Sequence, residues 1–98
     1  MINAGSSNVT LSTSGNVSDT NTAATNVSGG ILTISNAGAN AGSIDLDTAV
    51  TSLDLKGTGI SIQDGDGVEL AGIDDDGALA IQASGDITQS GAIDAALT

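Results

Sequence analysis

The chain has 98 residues and a formal net charge of −11, and it contains no aromatic residue, proline, cysteine or histidine. Without cysteine there are no disulfides or thiolate metal sites, and a single basic residue, Lys56, disfavours nucleic acids and anionic membrane surfaces as partners. Without histidine, cysteine, tyrosine or arginine the usual catalytic constellations cannot be assembled, so we predict that the chain is not an enzyme. No stretch approaches the ~18 apolar residues of a membrane helix, so we expect no membrane insertion.

Short triplets in which a polar residue separates two apolar ones recur along the chain. Because strand side chains alternate between the two faces of a sheet, each triplet predicts a strand with two side chains directed inward and one outward. The first residues of successive triplets lie 23, 21 and 26 positions apart, and a period of ~20–50 residues is typical of stacked repeats. The triplets are Val9–Leu11, Leu32–Ile34, Leu53–Leu55 and Leu79–Ile81.

Further apolar positions complete a pattern of three short strands per coil. We therefore predict an all-β chain that forms a parallel β-helix, or β-solenoid, of about four coils, with residues 1–98 as a single segment. Residues 1–30 are its weakest part, because residues 14–30 are rich in Ser, Thr, Asn and Gly and would also suit a linker or a loosely ordered coil. The expected second strands are at Val17, Ile44–Leu46, Ile60–Ile62 and Ile87–Thr88, and the third at Val27, Val50, Val68–Leu70 and Ile93.

This register also predicts which side chains face outward and where the corners lie. A flat ladder of threonines would favour ice binding, but no predicted face repeats Thr through all coils. The outward residues are Thr10, Thr33, Asp54 and Ala80 on the first strands, and on the second they include Asp45, Ser61 and Thr88. Glycines that would suit sharp corners precede the second strands, at Gly15, Gly42, Gly59 and Gly85.

Three Asn-Val-Ser/Thr sequences lie close together near the N-terminus. They have the form of glycosylation acceptors, but each also fits a turn asparagine that enters a strand whose valine points inward. We favour the second interpretation. The three begin at Asn8, Asn16 and Asn26.

Acidic residues are concentrated in the second half of the chain and form one candidate metal site. Residues 1–44 hold a single acidic residue, Asp19, whereas residues 45–98 hold the other eleven. Alternating Asp and Gly can present several oxygen ligands at a tight turn, as Ca²⁺ requires, although the same residues also form ordinary turns between strands. The candidate Ca²⁺ ligands are Asp64, Asp66, Glu69, Asp74, Asp75 and Asp76.

The segment Ala83–Ile93, with sequence ASGDITQSGAI, resembles a phrase common in filamentous-haemagglutinin-like and related giant bacterial exoprotein adhesins. Residues 79–93 fit the pattern of such repeats well, residues 53–70 fit loosely, and residues 1–30 fit only by composition. The resemblance implies a right-handed parallel β-helix, export to the bacterial cell surface or beyond, and adhesive or structural use.

These observations lead us to expect a structural or adhesive segment of a secreted bacterial β-solenoid surface protein. One alternative is a subunit that assembles into an extracellular filament or surface layer, and another is a calcium-responsive binding module. Residues 1–3 and 95–98 are too short to cap the first and last coils, so we expect the partners to be neighbouring coils or other copies of the chain, joined end to end.

Overall fold

Residues 1–19 and 24–95 are described by the computed structural model of the chain, and they form ten β-strands. Every pairing between these strands is parallel. None of the described residues lies in an α-helix. These findings confirm the predicted all-β parallel β-solenoid of about four turns. The strands are β1 (Ile2–Asn3), β2 (Val9–Ser12), β3 (Val17–Ser18), β4 (Val27–Ser35), β5 (Ile44–Gly57), β6 (Ile60–Asp64), β7 (Val68–Asp75), β8 (Leu79–Ala83), β9 (Ile87–Gln89) and β10 (Ile93–Ala95).

Stacked strands form ladders that run along the solenoid axis. The first ladder contains β2, β4, β5, β7 and β10, the second contains β3, β5, β6 and β8, and the third contains β1, β4 and β5. The long strands β4 and β5 turn a corner and so contribute to more than one ladder. The remaining strand, β9, pairs with the first part of β7.

The core is a narrow column of aliphatic side chains between the ladders. In β5, buried and more exposed residues alternate over much of the strand, as a period of two requires. Leu32, Ile34, Leu53 and Leu55 are completely buried. On the first ladder, one apolar column reads Leu11, Ile34, Leu55, Ile73 and Ile93 from the N-terminal to the C-terminal end.

The predicted register is right for the first three triplets and wrong for the fourth. Val9 pairs with Leu32 and Leu32 with Leu53, as expected. Leu79–Ile81, however, pairs with Ile60–Ile62 on the second ladder, so Ala80 lies beside Ser61 and not beside Asp54. The predicted place of Thr88 beside Ser61 is likewise wrong, because Thr88 pairs with Glu69.

A shorter coil explains this error. Stacked residues are 23 positions apart at Asn8 and Ile31 but only 17 apart at Ser52 and Glu69. After this shorter coil β7 pairs with β5 from Glu69 onward, and a register shift between Leu53 and Asp54, opposite Leu70 and Gly72, places Ile73 beside Leu55. Ile73 therefore occupies the place that equal spacing assigned to Leu79.

Close stacking of the backbone at one corner explains two of the glycines. Gly59 has a φ of 90°, a conformation that favours glycine. A Cβ on Gly77 would lie 2.6 Å from the backbone nitrogen of Gly59, so neighbouring coils meet there without room for a side chain. Of the predicted corner glycines, Gly85 precedes β9 and therefore does not lie on the second ladder.

Two predictions fall partly outside the described residues. The weak stretch 14–30 includes residues 20–23, and the segment considered as a C-terminal cap includes residues 96–98. The described part of the molecule has principal extents of 30 × 25 × 24 Å.

Candidate functional site: the acidic corners and open ends of the solenoid

Asp64 closes the corner after β6 and points into the solenoid, with only 1 % of its surface exposed. It follows Ile62 at a spacing of two, so the alternation of the strand turns both side chains inward. Its Oδ2 accepts hydrogen bonds from the Thr48 hydroxyl at 2.7 Å and from the Val50 backbone N–H at 3.0 Å. Its Oδ1 accepts one from the Asp66 backbone N–H at 2.8 Å. The carboxylate thus ties its own turn to the preceding coil.

Asp75 closes the corner after β7 in a similar way, but one of its oxygens has no partner. Its Oδ1 accepts hydrogen bonds from the backbone N–H groups of Gly59 and Gly77, at 2.7 and 2.8 Å. The side chain is 2 % exposed, and Oδ2 is buried without a hydrogen bond. Asp75 therefore binds its own turn and the preceding coil through a single oxygen.

The other predicted calcium ligands lie on the outside of the coils. Asp66 is exposed, and Glu69 is half-buried and accepts a hydrogen bond from the Ser52 hydroxyl at 2.9 Å. Asp76 is exposed and accepts one from the Asn40 side-chain amide at 3.1 Å. These contacts join neighbouring or more distant coils.

The structure does not bring the six candidate ligands together around one point. Asp64 and Asp75 face inward at different corners, whereas their neighbours in sequence face outward. Within residues 1–19 and 24–95, no three Asp, Glu, His or Cys side chains form a group suited to hold a metal ion. Calcium binding by these residues stays a prediction.

Charged side chains line a shallow groove of about 260 Å³ on the outside of the first ladder. Asp74 is paired in register with Lys56 on one side and Asp94 on the other. The Lys56 ammonium donates a hydrogen bond to the carbonyl oxygen of Gly38 at 3.1 Å. Two carboxylates side by side on adjacent strands repel each other. Side-chain electrostatics therefore stabilise the pairing of β10 with β7 less than the pairing of β7 with β5.

Asparagines near the N-terminus hold one coil to the next at three corners. In each case the side-chain Oδ1 accepts a hydrogen bond from the backbone N–H of a residue in the next coil. Asn8 binds Ile31 at 2.9 Å, Asn16 binds Ser43 at 2.9 Å, and Asn26 binds Asp47 at 3.0 Å. In the three Asn-Val-Ser/Thr sequences the valine packs toward the core, as the favoured interpretation expected. The asparagines also join two coils, which that interpretation did not include.

The apolar columns are partly uncovered at both ends of the solenoid. Within the described part of the chain, the end strands β2, β3, β8 and β10 each pair with one neighbour only. Ile2 at the N-terminal end is 43 % exposed, and Ile87 and Ile93 at the C-terminal end are 47 % and 40 % exposed. Unpaired strand edges with apolar side chains are able to extend a sheet.

The two ends differ in charge. Strands β1, β2 and β3 contain no acidic residue and Asp19 follows β3, whereas β10 itself contains Asp94 and Asp86 immediately precedes β9. The C-terminal end is therefore an acidic edge and the N-terminal strands form a neutral one. Two C-terminal ends repel each other, whereas an N-terminal and a C-terminal end do not.

A further group of carboxylates lies on the second ladder. Partial burial raises the pKa of the Asp47 carboxyl above its usual 3.8, and the Asp19 carboxylate, a hydrogen bond to Asp19 and the Asp45 carboxylate raise it further. Asp45 and Asp47 both lie in β5, two residues apart, and so face the same side. This cluster is destabilised when all three groups are ionised.

Comparisons of the chain with protein-family models, with curated proteins and with solved structures return no match. Within the described residues, the structure contains no helix that is long and apolar enough to span a membrane.

Sequence reasoning missed the structural role of two carboxylates and three asparagines, although the sequence contains signals for both. Asp64 follows Ile60 and Ile62 at a spacing of two, and Asp75 follows Ile73 in the same way, so alternation alone places both side chains inward. Each asparagine sequence places its valine at the first residue of a strand, β2, β3 or β4, which marks equivalent positions. Their hydrogen-bond partners depend on coil stacking, and sequence alone does not provide it.

Proposed function

We propose that the chain is a structural or adhesive segment of a secreted bacterial β-solenoid surface protein. The observation that carries this proposal is how the segment resembling exoprotein repeats folds. Its three apolar pieces, within residues 79–93, are the successive strands β8, β9 and β10, each stacked in parallel on the preceding coil. β8 pairs with β6, and β9 and β10 both pair with β7, so the segment on which the resemblance rests lies in the last coil of the described solenoid.

The arrangement of forces in the coils supports a scaffolding role. Backbone hydrogen bonds run along the solenoid axis, and the aliphatic columns exclude water from the centre. Polar side chains serve chiefly to fasten one coil to the next, as Asp64, Asp75 and Asn26 do. Such a body is held together along its axis, which suits a rod that presents its outer faces.

Localisation on intact cells tests this proposal. Antibodies raised against the purified chain should label intact cells of the source bacterium, or its culture medium, and a protease added outside the cells should abolish the label. A cytoplasmic protein released in parallel controls for lysis. Labelling that appears only after the cells are broken would overturn the proposal.

A second candidate function, a self-assembling subunit of an extracellular filament or surface layer, is favoured by the uncovered ends. Both ends of the described solenoid present partly exposed apolar side chains and strands with one neighbour. A subunit of a filament requires two such ends. Electron microscopy of the concentrated chain separates the candidates, because a filament subunit forms long particles of uniform width.

A further inference from the structure

We propose that the C-terminal end binds the N-terminal end of a second copy of the chain, with β2 of that copy added in parallel to β10. This inference rests on the proposed structural role and names the partner of the open ends. The contact is heterologous, so it repeats from copy to copy and gives a filament.

The internal register of the first ladder determines how the two copies meet. Each strand of this ladder contributes one residue to the column Leu11, Ile34, Leu55, Ile73 and Ile93. Leu11 is partly buried at one end of the column, and Ile93 is 40 % exposed at the other. Placing Leu11 of a second copy on Ile93 continues the column by one step and covers both side chains.

Outward side chains at the same junction are complementary. In register, Ser12 pairs with Ser35 at the N-terminal end and Asp94 pairs with Asp74 at the C-terminal end. When Leu11 lies over Ile93, Ser12 of the second copy lies beside Asp94, where its hydroxyl donates to the carboxylate. The alternative contact between two C-terminal ends would bring Asp94 and Asp86 of each copy toward the same residues of the other, which like charges oppose.

The region around β9 extends the contact. Thr88 pairs with Glu69, Glu69 with Ser52 and Ser52 with Ile31, and Asn8 binds the Ile31 N–H from the coil below. One step beyond Thr88, the same column reaches Asn8 of the second copy. Residues 4–8 of that copy therefore lie over β9 and cover Ile87, which is 47 % exposed.

Sedimentation velocity of the full chain, over a range of protein and salt concentrations, tests this arrangement. The wild type should form elongated species whose size grows with concentration, and salt should promote them by screening the net charge of −11. Ser12→Asp places a carboxylate beside Asp94 and should weaken association at least about tenfold. Thr51→Asp, which adds the same charge at an exposed position in the middle of the solenoid, should leave association unchanged.

Two further comparisons fix the register and the polarity of the contact. Adding Asp94→Lys to Ser12→Asp should restore association, because the two residues then form an ion pair. Ile93→Asp should prevent association, whereas Ile31→Asp, at an apolar residue 37 % exposed on the side of the solenoid, should not. An equimolar mixture of Ser12→Asp and Ile93→Asp should form a one-to-one dimer through its single intact pair of ends.

The outcomes separate this inference from the proposed function. A wild-type chain that is folded by circular dichroism and monomeric under all conditions would overturn the stacking. A Ser12→Asp variant that associates like the wild type, or fails to recover with Asp94→Lys, would overturn the register. Neither result bears on surface labelling of intact cells, which tests the structural role.

Discussion

The middle coils and the end coils of this solenoid are built from the same kind of strand but have different surroundings. In the middle, strands β4 to β6 each have neighbours on both sides, and Leu53 and Leu55 are completely buried. At the ends, β2 and β10 have one described neighbour, and Ile93 keeps 40 % of its surface exposed. Coils with two neighbours therefore supply most of the stability of a stacked fold, whereas the stability of an end coil depends on what covers it.

The largest expected loss of stability comes from a charged substitution in the apolar column of the middle coils. Leu55→Asp places a charge in the apolar column and should lower the free energy of unfolding by more than ~4 kcal/mol, which is enough to unfold a small domain. Ile93→Asp makes the same kind of change in the same column at the exposed end and should cost less than ~1 kcal/mol. Circular dichroism and thermal unfolding of both variants check the difference. An equal loss of stability in the two variants would contradict the placement of Leu55 in the middle and Ile93 at the end of the column.

The two buried carboxylates, Asp64 and Asp75, differ in how many of their oxygens have a hydrogen-bond partner. Asp64→Asn should cost ~2 kcal/mol, because in either orientation of the amide a backbone N–H group loses its acceptor. In Asp75→Asn both backbone donors can keep the side-chain oxygen, and the amide nitrogen replaces an oxygen that has no partner. This change should alter stability by less than ~1 kcal/mol. Denaturant unfolding of the two variants measures the difference, and a larger loss for Asp75→Asn would be inconsistent with these hydrogen bonds.

The asparagine hydrogen bonds between coils should contribute less to stability than the buried Asp64 carboxylate does. Asn26→Ala removes a partly buried hydrogen bond to Asp47 and should cost ~1 kcal/mol, whereas Asn16→Ala removes an exposed one to Ser43 and should cost ~0.5 kcal/mol. Val27 and Val17 follow these asparagines, so both substitutions leave the core side chains in place. Thermal melts at equal protein concentration compare the two variants. Equal melting temperatures would mean that burial does not distinguish these contacts.

Asp47 gives the smallest effect, and this effect depends on pH. Because partial burial and neighbouring carboxylates raise its pKa above 3.8, the folded chain holds this proton more tightly than the unfolded chain does. Ionised Asp47 therefore destabilises the fold above the raised pKa, and this penalty disappears as the pH falls toward 3.8 and below. Asp47→Asn should raise the melting temperature at neutral pH, and the gain should shrink in acid.

A matched substitution separates this local effect from the net charge of the chain. Asp86→Asn also removes one negative charge, but at an exposed position next to β9. It should raise the melting temperature at neutral pH by less than Asp47→Asn does. An equal gain from both substitutions would assign the effect to overall charge.

Sequence alternation predicts the inward and outward positions of individual strands well, but it does not predict how many residues separate two coils. Val9, Leu32 and Leu53 are assigned correctly because their spacing is nearly constant. Leu79 is assigned to the wrong ladder because one coil is shorter: Ser52 and its partner Glu69 are only 17 positions apart. The loss of a few residues from a corner leaves the local pattern unchanged and moves every later strand to another face.

The acidic residues are subject to the same limit, because the local sequence does not show how the coils stack around them. Composition marks turns rich in carboxylates, and turns do follow Asp64 and Asp75, but Glu69 and Asp74 lie within strand β7. The sequence also allowed a calcium site. The distinction lies in the direction of single side chains and in the donors that stacking brings to them. Thr48 and Val50, which bind Asp64, come from a coil that the local sequence around Asp64 does not include.

Cross-linking of designed cysteine pairs tests the central claim, the register of the parallel coils, most directly. The chain has no cysteine of its own, and paired residues on neighbouring strands lie ~4.8 Å apart, within the range that a disulfide spans. The structure predicts that Ser61→Cys with Ala80→Cys forms a disulfide readily within one molecule, whereas Asp54→Cys with Ala80→Cys stays reduced. Efficient cross-linking of the second pair and not of the first would contradict the stacking of β8 on β6.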